Sequence, residues 1–251
     1  MSGGILSIID ERVHSMIPEL SPGVIVALLS SFRRLRVDAA MIPLSSDDLV
    51  TQVSSLACTL DTRTFLLSMR ALSEMGYSWQ NLTNNQHVGI AAGIARSATV
   101  NPSKLASILS VLVALKANWA DIHEKIPIVL RYVVFKVFAS VRPLSSMTAE
   151  ERQSTLIYLE TILKIFKDMK ASWALFGDKA GITILQALSV LRLDRTEEAS
   201  IIPLISEIFR DIPIKVHEAV PAEFHFLFFV KGDGDRTFPM IESESAHRSM
   251  Q

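Results

Sequence analysis

The stretch Leu72-Ser73-Glu74-Met75-Gly76-Tyr77-Ser78-Trp79-Gln80-Asn81-Leu82 decides the fold, because its pattern recurs along the chain. The same frame surrounds Trp119 and Trp173, so all three tryptophans of the 251 residues occupy one repeated position. A fourth copy lies upstream, with Ala39 in the tryptophan position. Large apolar residues precede this position by ten, seven and four residues and follow it by three. In the four copies they are Leu29, Phe32, Leu35 and Ile42; Met69, Leu72, Met75 and Leu82; Leu109, Leu112, Leu115 and Ile122; and Leu163, Phe166, Met169 and Phe176.

The spacing of the copies indicates a repeat protein. Ala39, Trp79 and Trp119 are 40 residues apart, and the step to Trp173 is longer by 14, which the polar segment 142–151 can absorb. Repetition at such a period is typical of stacked supersecondary units that cannot bury their apolar faces alone. The sequence therefore predicts an all-α fold, a right-handed α-solenoid of antiparallel helix pairs with about four repeats near 40 residues each.

Each copy predicts one helix before the tryptophan position and one after it, from apolar residues spaced by three and four. Asp61 is a candidate N-cap, Asn101-Pro102 is a start signal, and Glu150 and Glu151 suit the positive end of a helix dipole. The predicted first helices are 23–38, 62–77, one opening at Asn101 and one near Thr148; the second helices are 46–60, 85–98, 122–141 and 178–193, followed by 196–210. Gly89 and Gly93 inside one second helix predict a close helix–helix approach.

The periodicity ends near Pro213, which divides the chain into a helical-repeat domain, 1–213, and a C-terminal segment, 214–251. Residues 223–230 alternate aromatic side chains and precede a glycine-rich turn, so they predict an extended strand. This strand is either a cap over the last repeat or an edge for docking a partner. The polar tail from Glu242 is predicted to be disordered.

Net charge, the distribution of apolar residues and the cysteine count exclude several classes of protein. The net charge of −1 gives no global attraction to nucleic acid, although a local basic row remains open. No window holds the roughly 18–20 uninterrupted apolar residues of a membrane span, so no membrane partner is expected. Cys58 is the only cysteine, which excludes an intramolecular disulfide and favours a reducing compartment. Its apolar neighbours predict a buried thiol.

The sequence contains no recognisable catalytic or cofactor-binding motif, and its one candidate binding feature is a row of cations. No nucleophile motif, phosphate-binding glycine loop, dinucleotide fingerprint or metal-ligand spacing occurs, so we expect no enzymatic activity, cofactor, metal or small-molecule substrate.

Three residues before the tryptophan position, however, the copies carry Arg36, Gly76, Lys116 and Lys170, and a partial copy carries Arg192. Because the helices of successive copies stack side by side, residues at the same repeat position form a row on the surface. A row of cations of this kind could bind along the phosphate backbone of a single strand. The candidate RNA-binding residues, including cations on neighbouring positions, are Arg33, Arg36, Lys116, Lys164, Lys167, Lys170 and Arg192. Alternatively, these cations only complement the helix dipoles, which favour basic residues near helix C-termini.

The segment Ser68-Met69-Arg70-Ala71-Leu72-Ser73-Glu74-Met75-Gly76-Tyr77 resembles the first helix of the degenerate repeats in FAST-kinase-like and heptatricopeptide-type mitochondrial proteins. The resemblance spans roughly residues 22–195, and Lys116 and Lys170 replace the glycine of this motif in two copies. No nuclease-like RAP module is recognisable after Pro213. The resemblance implies noncatalytic work on mitochondrial RNA, such as binding, stabilisation, processing, editing or a mitoribosome accessory role.

Two functional hypotheses follow. The first is a subunit that binds RNA, scaffolds a mitochondrial RNA-processing or RNA-editing complex, or does both, with protein subunits and single-stranded RNA as partners. The second is a protein–protein adaptor of the HEAT or armadillo kind with no RNA contact. The expected compartment is the mitochondrion, and the alternative is the cytoplasm.

Overall fold

Helices account for most of the backbone in the computed structural model, which describes residues 3–125 and 127–228. These residues contain no strand, so the all-α prediction is confirmed for them. The α-helices are α1 (Gly3–Met16), α2 (Pro22–Leu35), α3 (Pro43–Leu56), α4 (Thr62–Glu74), α5 (Asn84–Val100), α6 (Leu105–Ala114), α7 (Trp119–Lys125), α8 (Pro127–Ala139), α9 (Ala149–Asp168), α10 (Trp173–Phe176), α11 (Asp178–Leu191) and α12 (Arg195–Ile208). Short 3₁₀ turns occupy Ile17–Glu19, Ala39–Met41, Trp79–Asn81, Pro102–Lys104, Leu144–Ser146, Ile214–Ala219 and Ala222–Phe228.

The longer helices pack in two rows. In row A, α2, α4, α6, α9 and α12 each contact the next member of the row. In row B, α1, α3, α5, α8 and α11 do the same. Apolar side chains from both rows form one buried cluster that extends from Ile17 to Leu227. Because the interior helices of both rows bury apolar side chains between neighbours, the high apolar content serves a core that runs along both rows.

The tryptophans lie at equivalent places between successive members of row A. Trp79, Trp119 and Trp173 are each at most 3% exposed, as predicted from their repeated position. The backbone N–H of Trp79 donates to the Leu115 carbonyl at 2.6 Å, and that of Trp119 donates to the Met169 carbonyl at 2.7 Å. Ala39 makes the same bond to the Met75 carbonyl at 3.0 Å. In each case the acceptor stands four residues before the tryptophan position of the next copy, so these junctions share one geometry.

Most of the predicted start signals act as expected. The Asp61 carboxylate accepts from the N–H groups of Arg63 and Thr64, and Thr148 forms a reciprocal capping box with Glu151 at the start of α9. Asn101 behaves differently, because a 3₁₀ turn precedes α6 and the Asn101 side chain donates to Thr62 Oγ1 instead of capping. The start signals therefore predict where a helix begins to within a few residues, and the local turn geometry determines its first residue.

The 14 extra residues before Trp173 do not all enter the polar segment. α9 has 20 residues where α4 has 13, so part of the insertion lengthens a row A helix. The predicted single helix over 122–141 is helical at 122–125 and 127–139, and residue 126 lies outside the described residues.

The predicted close approach at the two glycines of α5 is confirmed. A Cβ atom at Gly89 would overlap the Ser54 carbonyl oxygen, and one at Gly93 would lie 2.8 Å from the Ala57 Cβ atom. Here α5 packs directly against α3, and a side chain at either glycine would force the helices apart.

The predicted strand over residues 223–230 is wrong for its described part. Residues Ala222–Phe228 form a 3₁₀ helix, and the buried side chains are Phe224 and Leu227, three residues apart. A 3₁₀ helix has three residues per turn, so this spacing outweighs the aromatic alternation that suggested a strand. Phe229, Val230 and the predicted disordered tail lie outside the described residues.

Cys58 is exposed, which contradicts the prediction of a buried thiol. α3 ends at Leu56 and Ala57 takes the core-facing position, so Cys58 falls in the turn that follows. Among the described residues, no helix has the length and apolar character needed to cross a membrane.

Candidate functional site

The cation column predicted from the sequence corresponds to one backbone position in row A. Arg36 directly follows α2, and Gly76, Lys116 and Lys170 lie two residues after the last residues of α4, α6 and α9. All four have positive φ angles, between 54° and 94°. This left-handed conformation suits glycine, whereas an L-residue with a Cβ atom is disfavoured there by roughly 1–2 kcal/mol. Three of the four copies therefore carry a long cationic side chain where the backbone favours glycine.

The left-handed residue closes each helix by a repeated pair of hydrogen bonds. The Lys116 N–H donates to the Val113 carbonyl at 2.8 Å, and the following N–H, of Ala117, donates to the Leu112 carbonyl at 2.9 Å. The same pair occurs after α2, α4 and α9. These bonds satisfy carbonyls that have no partner inside the helix, as in a Schellman motif. The backbone geometry is thus explained without any ligand, and only the choice of side chain is left to explain.

Three cations of the column are available to a ligand. The side chains of Arg36, Lys116 and Lys170 are exposed, and none of them forms an ion pair with another described residue. Each lies at a helix C-terminus, where a cation contributes about 0.3–1 kcal/mol through the helix dipole. This contribution does not exceed the cost of the left-handed conformation, so the dipole alone does not favour lysine or arginine over glycine here.

Three other candidate residues are paired with carboxylates. Arg33 Nε lies 2.5 Å from Glu74 Oε2, Lys164 Nζ lies 2.8 Å from Glu160, and Lys167 Nζ lies 3.0 Å from Glu207. The Arg33 and Lys167 pairs join neighbouring helices of row A. Their charges are already compensated within the protein, so they are weaker candidates for phosphate binding than the three unpaired cations.

Arg192 shares the backbone conformation but lies at a different place. Its φ is 47°, yet it ends α11, which belongs to row B. Its carbonyl accepts a hydrogen bond from Arg152 Nη2 at 2.9 Å, and Arg152 also binds Glu197 through two bonds of 2.8 and 2.6 Å. The hydrogen bonds from Arg152 lower the pKa of Glu197 below its ordinary value. The structure thus separates Arg192 from the row A column.

A groove between α4 and α6 was not anticipated from the sequence. It has a volume of about 780 Å³, an apolar floor that includes Leu66 and Val111, and exposed Arg63, Arg70 and Lys104 at its rim. The repeat frame contained a signal for it. At three outward positions the copy that contains Trp119 has only small residues, whereas the copy that contains Trp79 has larger ones. Ser107, Ser110 and Ala114 correspond to Leu67, Arg70 and Glu74.

The other ionisable side chains of the described residues form no cluster typical of a reaction centre. No group of three or more His, Cys, Asp or Glu residues that could hold a metal ion occurs in the described part of the chain. The rings of His217 and His225 lie tilted against each other in the C-terminal turns, with centroids 4.0 Å apart, and His225 Nε2 lies 2.9 Å from the Val220 carbonyl. These two histidines connect the Ile214–Ala219 and Ala222–Phe228 turns to each other.

Comparison with known proteins gives no relative. No protein-family profile matches the sequence, and neither a curated protein nor a solved structure is significantly similar to the chain.

Proposed function

We propose that this chain is a noncatalytic helical-repeat subunit, a right-handed α-solenoid of about four repeats, that binds single-stranded RNA within a mitochondrial RNA-processing or RNA-editing complex. Arg36, Lys116 and Lys170 form its phosphate-binding row. The observation that carries this proposal is their left-handed conformation, because cations occupy a position where glycine would be more stable. Residues held at a local energetic cost are often retained for function.

The arrangement of row A supports a contact with an extended chain of charges. The cations follow the ends of helices that pack side by side, at a pitch of about 8–10 Å per helix. Lys116 and Lys170 end adjacent helices, whereas Gly76 interrupts the row between Arg36 and Lys116. A flexible single strand can follow such a row with its phosphates and does not need a fixed base sequence.

The test replaces the three cations by glycine, giving the triple variant Arg36→Gly, Lys116→Gly and Lys170→Gly. Because glycine suits the left-handed position, this variant should fold at least as stably as the parent and yet bind RNA more weakly. Fluorescence anisotropy with a labelled single-stranded RNA should show the loss for every base sequence tested. It should also show a weaker dependence of affinity on salt, by about 2 units in the log–log slope for three lost phosphate contacts.

A matched control removes the same charge from the opposite ends of row A helices. Arg63, Lys104 and Arg195 lie near the starts of α4, α6 and α12, are exposed, and have no ion pair within the described chain. Changing these three to glutamine should leave most of the RNA affinity intact. Equal losses in both triple variants would mean that only net charge matters, and an unchanged affinity of the glycine variant would refute the phosphate-binding row.

A second candidate function is that of a protein–protein adaptor without RNA contact. The specific observation that favours it is the groove between α4 and α6, whose apolar floor suits a protein side chain better than a phosphate. Affinity purification of the tagged full chain with and without RNase distinguishes the two functions. Loss of the associated proteins on RNase treatment supports RNA binding, whereas an unchanged set supports the adaptor.

A further inference from the structure

The groove between α4 and α6 is long enough to hold a peptide segment. Leu66 and Leu67 line it from α4, and Val111 lines it from α6. Leu67 is 40% exposed at its edge. The lining residues extend from Lys104 to Ala114, which spans about 15 Å along the axis of α6. This length matches about three turns of a helix or about five residues of an extended peptide.

The helices on either side of the groove are not joined by the kind of ion pair that joins other members of row A. Glu74 on α4 accepts from Arg33 on α2, and Glu207 on α12 pairs with Lys167 on α9. Ala114 stands in α6 at the position that Glu74 has in α4. Because α6 contains no charged residue, it offers no carboxylate to the cations of α4. A carboxylate that other junctions receive from the protein itself is therefore missing here.

The rim of the groove is positively charged. Arg63 and Lys104 are exposed and form no ion pair within the described chain. Arg70 contacts only the carboxylate of Glu74, on its own helix, at 3.3 Å. Among the described lining residues Asp61 alone is acidic, and its carboxylate already accepts backbone N–H groups at the start of α4. An apolar floor with excess positive charge at its rim is complementary to a segment that is both acidic and partly apolar.

We propose that this groove binds an acidic peptide segment of a protein partner. The segment places apolar side chains over Leu66 and Val111 and carboxylates beside Arg63 and Lys104. A single strand of RNA fits less well, because none of the described lining residues is aromatic and could stack on a base. The proposal gives the adaptor function a class of partner. It does not depend on the phosphate-binding row, since none of the three cations of that row lines the groove.

The test selects phage-displayed random peptides of about 12 residues, which are long enough to span the groove, on the immobilised full chain. A parallel selection uses the double variant Ser107→Leu and Ala114→Glu, which gives α6 the residues that α4 carries at the same repeat positions. Both residues are exposed, so circular dichroism should show an unchanged fold. Peptides enriched on the parent should combine aspartate or glutamate with large apolar residues. They should bind the double variant at least about tenfold more weakly, because it fills the floor and supplies its own carboxylate.

The matched control is Ala199→Glu with Ser200→Leu, which makes the same two changes at exposed positions of α12. It should bind the selected peptides like the parent. Arg63→Gln with Lys104→Gln should weaken peptide binding about tenfold and leave most of the RNA affinity intact. This pair of measurements distinguishes a failure of the groove from a failure of the phosphate-binding row.

Three results would overturn the inference. The first is a selection that enriches no peptide on the parent over the double variant. The second is a set of enriched peptides that lack acidic residues. The third is displacement of the bound peptide by single-stranded RNA from the triple glycine variant, which lacks the phosphate-binding row, because that result would assign the groove to nucleic acid.

Discussion

The two ends of the helical rows differ in how their last helices are finished. At the α1 end, Ile5, Ile8 and Leu35 are exposed. The carbonyls of Met75, Leu115 and Met169 each accept an N–H from a turn, whereas no turn of the described residues donates to the equivalent carbonyl of Leu35. At the α12 end, Asp211 accepts the Trp173 N–H, and Phe224 and Leu227 cover the core from the C-terminal turns. The same repeat unit therefore leaves different surfaces at the two ends. Its interior contacts are satisfied by neighbours, whereas each end needs its own solution.

The two ends also attach their last helices by different means. Asp10 joins α1 to α3 by accepting from the N–H groups of Leu44 and Ser45 at 2.9 and 2.8 Å. Arg152 joins α9 to α12 through its paired bonds with Glu197. One end thus depends on a carboxylate that caps a helix, and the other depends on a two-bond ion pair.

A tryptophan buried between two row A helices should contribute more to the free energy of unfolding than the contacts at either end. Trp119 is 2% exposed and contacts the Phe166 and Phe176 rings, both with centroids 5.3 Å away. Trp119→Ala should lower the free energy of unfolding by about 3–5 kcal/mol, because it leaves a large cavity between neighbouring helices. Chemical denaturation measures this change. Trp119→Phe keeps most of the ring volume and should cost clearly less, and equal costs would mean that the ring does not fill a packed junction.

The ion pair at the α12 end should give the next largest effect. Arg152→Ala leaves the largely buried Glu197 carboxylate without its partner and should cost about 2–3 kcal/mol. Arg142→Ala is the control, since the Arg142–Glu151 pair is about half exposed and screened by solvent, so its loss should cost clearly less. Thermal and urea unfolding of both variants test the difference. Similar costs would show that the α9–α12 attachment does not depend on this pair.

The carboxylate at the α1 end should make the attachment of α1 sensitive to pH. Burial raises the pKa of Asp10, but hydrogen bonds from Ser45 and Leu44 outweigh it and hold the pKa below its ordinary value. The stabilisation is therefore complete above about pH 4 and is lost as the pH falls through the lowered pKa. Asp10→Ala should cost about 1–2 kcal/mol at neutral pH, and its difference from the parent should shrink in acid. A difference that does not change with pH would contradict this role.

The smallest expected effect is a gain in stability. Lys116→Gly relieves the left-handed conformation and should raise the free energy of unfolding by about 0.5–1 kcal/mol. Lys104→Gly is the control, because the φ of Lys104 is −95° and glycine brings no relief there. Denaturant unfolding of the two variants should give changes of opposite sign. A loss of stability in Lys116→Gly would show that the lysine itself stabilises the helix end.

The repeat frame allowed much of this structure to be predicted, because burial at Trp79, Trp119 and Trp173 follows from a periodic pattern. The column of Arg36, Lys116 and Lys170 was also visible, although its left-handed backbone was not. The remaining features depend on neighbours that no local pattern encodes. Leu35 fits the frame as well as Met75 does, yet it is 74% exposed because no turn among the described residues packs against it. The C-terminal turns were mistaken for a strand because aromatic alternation concealed the three-residue spacing of Phe224 and Leu227.

The salt dependence of RNA affinity across a graded series tests the proposed phosphate-binding row most directly. The series is the parent, Lys116→Gly, Lys116→Gly with Lys170→Gly, and the triple variant that also has Arg36→Gly. We predict that the slope of log affinity against log salt weakens by about 0.7 for each cation removed, because each one ends a phosphate contact on a single strand. All four proteins should remain fully folded. A slope that stays constant across the series, or a parent that binds no RNA at moderate salt, would contradict the proposed function.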